Sequence, residues 1–156
     1  MRIHDVSLAA RGRWHTLSAA LIGLWIFTGL GLLIAGSLGA PVVWWDIIHP
    51  FTIGALTTAI IVFSTHFTEA LTRTAGGDYR GVGSRVGLVQ FGLILLLIDR
   101  AGYDWGPLAD AASALIIAAL TWHLWFVVRR LRGSLSGSFA VTVPFYIAAS
   151  VFMIAS

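Results

Sequence analysis

The sequence predicts an all-α integral membrane protein, a four-transmembrane-helix bundle followed by a further apolar segment at the C-terminus. Three observations carry this. Hydrophobic residues make up 58% of the chain and charged residues 11%, against about 25% charged in ordinary soluble domains. A chain of this length could not bury that much apolar side chain in water, so lipid is its solvent. Four apolar runs each approach the roughly 20 residues that a bilayer core requires. Finally, nine of the ten basic residues lie in stretches that a four-span topology places on one side, with only Arg100 opposite.

The elements follow in order. Residues 1–13 are polar and basic, and His4 belongs to this solvated tail. Helix one is expected over about 14–37. It is too long for the apolar core of a cleaved signal, and its glycines at 23, 29, 31 and 36 predict close helix contacts. Gly39 and Pro41 make the turn, and Trp44 and Trp45 suit a membrane–water interface. Helix two is expected over about 47–71, with Pro50 in its first turn, where a missing N–H costs least. The stretch TRTAGGDYRGVGSR reads as a polar loop, followed by a short helix three over about 86–101. AGYDWGP leads into helix four over about 108–131, and GSLSGS reads as a flexible linker. The chain thus divides into a four-helix domain over 1–138 and an apolar segment over 139–156. Interrupted by Pro144, that segment is an extra span, a re-entrant piece or a helix lying against a partner.

The arginine asymmetry places the N-terminus in the cytoplasm by the positive-inside rule. The high pI reflects this clustering and gives no reason to invoke nucleic acid. There are no cysteines, which excludes disulfides, thiolate zinc sites and iron–sulfur clusters held by this chain. Histidine is left as the metal ligand. His15, His66 and His123 fall near the cytoplasmic ends of helices one, two and four, and His49 lies at the opposite end of helix two. His49 and His66 are 17 residues apart, roughly 25 Å at 1.5 Å per residue, too far to share an iron. A bis-histidine haem needs two imidazoles at similar depth on different helices. Any two of His15, His66 and His123 meet that requirement. His123 is the most telling, since lipid gives a lone imidazole no water. For the others an interfacial or hydrogen-bonding role competes, and His49 is also placed to contact a quinone.

Four stretches together resemble the cytochrome b (gamma) subunit of membrane-bound formate dehydrogenase, within the wider cytochrome b561-like group. RGRWHTLSAALIGLWIFTGLGL resembles that family's Arg…His-Trp start of helix one. DIIHPFTIG resembles its Leu-His-Pro-Phe-Phe-Gly start of helix two, and GGDYRGVGSRVGLVQF its approach to helix three. TWHLWFVVRRLRGSLSGS resembles its histidine, aromatic turn, basic residue and Gly-Ser-x-x-Gly. The likeness covers about residues 10–138.

The resemblance implies a haem b on the cytoplasmic side held by His15 and His123, with His66 as an alternative ligand. It implies a second haem through His49. The family's partner histidine for that haem would fall near Ala109 and Asp110, where this chain has none, so one haem is expected and two are allowed. Arg80 and Arg129, with Arg85 and Arg130 beside them, are candidates to pair with haem propionates. The implied role is a membrane-anchoring electron-transfer subunit, not itself catalytic, in a bacterial inner membrane. It would pass electrons between catalytic dehydrogenase and iron–sulfur subunits and the quinone pool. The competing reading is a cofactor-free structural anchor of a larger complex. A transporter is disfavoured because Glu69 and Asp99 lie near helix ends.

Overall fold

The structure, a computed structural model, describes residues 8–72, 79–100, 106–133 and 142–155. Of the expected linker over 133–138 only Gly133 is described, and the start of the C-terminal segment lies outside these residues, as does most of the loop before helix four. All the described elements are helices: α1 (Leu8–Ser37), α2 (Trp44–His49), a π-helical segment (Pro50–Thr57), α3 (Thr58–Leu71), α4 (Tyr79–Arg100), α5 (Pro107–Arg132) and α6 (Val143–Ala155). α2, the π segment and α3 follow one another directly along the chain. Four helices are long and apolar enough to cross a membrane: Gly12–Ser37, Trp44–Leu71, Tyr79–Asp99 and Pro107–Arg132. The chain is a multi-pass membrane protein. α6 has 13 residues, about 20 Å at 1.5 Å per residue, which is short of a ~30 Å hydrocarbon core.

The chain divides into two units, Met1–Ala59 and Ile60–Ser156. In the first, α1 ends in a Schellman-type turn. The Ala40 N–H reaches the Ala35 carbonyl at 3.0 Å and the Gly39 N–H reaches Gly36 at 3.1 Å. Gly39 takes φ +92°, the left-handed conformation this cap requires. The Val43 N–H donates to the Asp46 carboxylate at 3.2 Å, so Asp46 closes the exposed N-terminus of α2. Pro50 then removes one helical donor, and the backbone widens into the π segment. There Thr57 reaches back five residues to the Thr52 carbonyl at 2.9 Å.

α1 and the π segment interlock through two glycines. A Cβ on Gly54 would lie 2.5 Å from the Trp25 ring, and one on Gly29 would lie 2.5 Å from the Phe51 ring. Trp25 and Gly29 are one helical turn apart, so each partner gives an indole or phenyl ring to the other's glycine. Among the described residues nothing lies within 4 Å of a Cβ placed on Gly23 or Gly31. Of the four glycines expected to mediate contacts, Gly29 does so closely and Gly36 only loosely, near Val42.

In the second unit α4 begins at Tyr79, seven residues before the sequence-based expectation of about 86. Gly81, Gly83 and Gly87 lower helix propensity. Tertiary burial overrides them, because Val82, Arg85, Val86, Val89, Leu93 and Leu96 form a buried stripe at helical spacing. α4 and α5 make the most extensive helix pair. Their backbones approach at Gly92, where a Cβ would meet Ile116 at 2.7 Å and the Ala112 carbonyl at 3.0 Å. At the far end of this pair the Gly106 N–H donates to Asp99 at 2.9 Å, placing a carboxylate at the N-terminus of α5. α6 packs on α5, with Val143 and Ser150 buried.

Candidate functional site

His123 is 1% exposed on α5, and its Nε2 lies 2.8 Å from the Ser64 hydroxyl of α3. Ser64 also donates to the Ile60 carbonyl of its own helix at 2.5 Å. A hydroxyl has one proton. With that proton on Ile60, Ser64 can only accept from His123, so His123 carries its proton on Nε2. Its Nδ1 then presents a buried lone pair with no hydrogen-bond partner among the described residues.

One turn further along α5, Phe126 stacks near the His123 ring, with centroids 6.5 Å apart. Two guanidinium groups rest on Phe126, Arg85 at 4.3 Å from its centroid and Arg130 at 5.2 Å. Arg85 is 2% exposed. Its Nε donates to the Gly81 carbonyl at 3.1 Å, and its Nη1 has no partner among the described residues. Arg130 pairs with Glu69 of α3 at 3.4 Å. Glu69, Gly81, Val82, Arg85, Trp122, Phe126 and Arg130 line an open cleft of about 170 Å³. A second cleft of about 410 Å³, lined by Trp125, Phe126, Arg129, Arg130 and Gly133, shares Phe126 and Arg130 with it. The ends of α3 and α5 and the start of α4 thus meet in one basic, aromatic patch.

The remaining candidates lie elsewhere. His15 is half-buried near the start of α1, in the first unit. His66 is exposed on α3 and turned edge-on to Phe67. It follows Ser64 by two residues, which puts it on a different side of α3 from the hydroxyl that meets His123. Arg80 is exposed in the first turn of α4, and Arg129 is exposed and lies over the Trp125 ring at 5.1 Å. The arginines that converge inward are Arg85 and Arg130.

In the first unit, His49 Nδ1 lies 2.7 Å from the Trp45 carbonyl, and its ring stacks on Trp45 at 3.8 Å. The carbonyl can only accept, so the proton sits on Nδ1 and the Nε2 lone pair is available. Metal-bound histidines use the same arrangement to fix their tautomer. His49 is also the last residue before the π segment, a distortion that often marks functional sites. Among the described residues no three His, Cys, Asp or Glu side chains group as a metal-ligand set.

Sequence reasoning missed Ser64 and the pairing of Glu69 with Arg130. The signal was the line of hydroxyls on one face of the second span at 57, 58, 64, 65, 68 and 72, all buried in the structure. Arg85 was read as a loop residue because its glycine-rich surroundings hid the start of α4. Comparison with family profiles, with curated proteins and with solved structures yields no match to this chain.

Proposed function

We propose that this chain is a membrane-anchoring b-type cytochrome subunit of a respiratory oxidoreductase complex in a bacterial inner membrane, with its N-terminus in the cytoplasm. It relays electrons between dehydrogenase and iron–sulfur partners and the quinone pool through a haem held by His15 and His123, and His49 is available to a second haem or a quinone. The observation that carries this reading is His123, an imidazole sealed inside a membrane protein with one ring nitrogen unsatisfied. Such a group is costly in lipid unless it serves a ligand. Nδ1, with its free lone pair, is the atom that would meet a haem iron, and its use would leave the Nε2–H bond to Ser64 in place. The bound haem would supply one-electron redox chemistry, while the chain supplies ligands and a dry surrounding.

A specific observation favours a second reading, the cofactor-free structural anchor. The Nε2 of His123 is already satisfied by Ser64 at 2.8 Å, joining α5 to α3 without any added group. The absorption spectrum of the protein purified after expression with haem supplied separates the two. The cytochrome reading expects a sharp reduced b-type band that is lost in His123→Ala and in His15→Ala. Absence of the band in the wild-type protein refutes it and leaves the anchor.

A further inference from the structure

We propose that the cleft between Glu69, Arg85 and Arg130 is a binding site for the phosphate of an anionic phospholipid headgroup. The inference is independent of whether the protein carries haem. Its first support is Arg85. A guanidinium that is 2% exposed, with one nitrogen unpartnered among the described residues, is a buried cation short of an acceptor. Leaving a buried guanidinium nitrogen without an acceptor is expensive. The second support is the charge of the lining. Two arginines and one glutamate line the cleft of about 170 Å³, and Glu69 contacts Arg130. The lining therefore keeps a net positive charge, and the guanidinium nitrogens are donors for an anion with several acceptor oxygens.

The third support is position. Glu69 and Arg130 lie in the last turns of their candidate spans, and Arg85 lies in the second turn of another. This is the level at which the apolar rods give way to basic residues and lipid phosphates lie. Trp122, which lines the cleft, is 40% exposed, and neighbouring Trp125 is 54% exposed. These rings suit the headgroup boundary, with an apolar body for the acyl chains and an N–H for the polar layer. A soluble anion would need only the arginines, whereas a lipid also uses this aromatic flank.

The test measures the unfolding temperature of the full chain in a mild neutral detergent, followed by tryptophan fluorescence. Phosphatidylglycerol, phosphatidylcholine and inorganic phosphate are titrated separately. The expected result is a rise of several degrees with phosphatidylglycerol and none with phosphatidylcholine. Arg130→Gln should weaken the phosphatidylglycerol response about tenfold and Arg85→Gln at least as much, while Arg80→Gln, an exposed arginine outside the cleft, leaves it unchanged. If Arg85→Gln fails to fold, Arg130→Gln and the wild-type lipid comparison decide. Equal responses to the two lipids, or a wild-type response in Arg130→Gln, overturn the proposal. A response to inorganic phosphate that also abolishes the effect of phosphatidylglycerol overturns the lipid assignment and makes the cleft a soluble-anion site.

Discussion

Ser64 and His123 are joined across two membrane helices by a 2.8 Å contact in which the histidine donates and the serine accepts. This bond fixes which ring nitrogen holds the proton. Ser64→Ala leaves a buried N–H without an acceptor and is expected to lower stability by about 1–3 kcal/mol. Chemical denaturation in detergent measures this. In the cytochrome reading Ser64→Ala keeps the b-type band while His123→Ala loses it. A Ser64→Ala protein as stable as wild type would show that the contact contributes nothing to holding α3 on α5.

The two histidines with assigned ring hydrogen bonds should be opposite tautomers. His49 is protonated on Nδ1 by its bond to the Trp45 carbonyl, and His123 on Nε2 by its bond to Ser64. Nitrogen-15 spectra of selectively labelled protein without added haem distinguish the two forms directly. Finding the same tautomer at both positions would contradict the geometry at one of them.

The glycine contacts of the first unit give a graded series. Gly54→Ala and Gly29→Ala drive a methyl group into Trp25 and Phe51, each at 2.5 Å, and overpacking of this kind typically costs about 1–3 kcal/mol. Gly31→Ala meets nothing within 4 Å. It should be neutral, or stabilising by up to about 1 kcal/mol through helix propensity. Thermal unfolding of the three variants gives the order, and a Gly31→Ala loss as large as that of Gly54→Ala would show that these contacts do not set it.

Gly39 provides a separate backbone test. Its φ of +92° is strained for any residue with a Cβ, so Gly39→Ala should cost about 1–2 kcal/mol, with Gly39→Asn milder. The effect should appear as a lower unfolding temperature.

The Glu69–Arg130 pair is partly exposed and held by one 3.4 Å contact, with side-chain exposures of 17% and 26%. A double-mutant cycle with Glu69→Gln and Arg130→Gln is expected to give a coupling of about 0.2–1 kcal/mol that falls as salt is added. A coupling several times larger would mean the pair acts as a buried one.

What the sequence made legible was what the solvent dictates. Long apolar runs in lipid can only become helices, so the four spans could be read from hydropathy. The ends could not. Tyr79–Arg85 looked like a loop because glycine content was weighed without knowing that Val82, Arg85 and Val86 would be buried together. The site was half legible for the same reason. His123 stood out because a buried imidazole has to be accounted for. Its partner Ser64 did not, since a serine in a membrane helix can satisfy itself locally. The inward arginines were hidden among nine on one side, and only side-chain packing separates Arg85 and Arg130 from Arg80 and Arg129.

The hydroxyls turned back onto their own helices have a chemical consequence for the whole interior. Thr28, Thr58, Ser64, Thr65 and Thr72 each give their proton to a carbonyl one turn earlier. What these groups still offer their neighbours is lone pairs alone. At these five positions a cross-helix polar link needs its proton from the other partner, as His123 supplies it to Ser64. A substrate, cofactor or lipid that enters among these hydroxyls gains from them only if it brings hydrogen of its own to donate. A purely accepting guest gains no donor from these five.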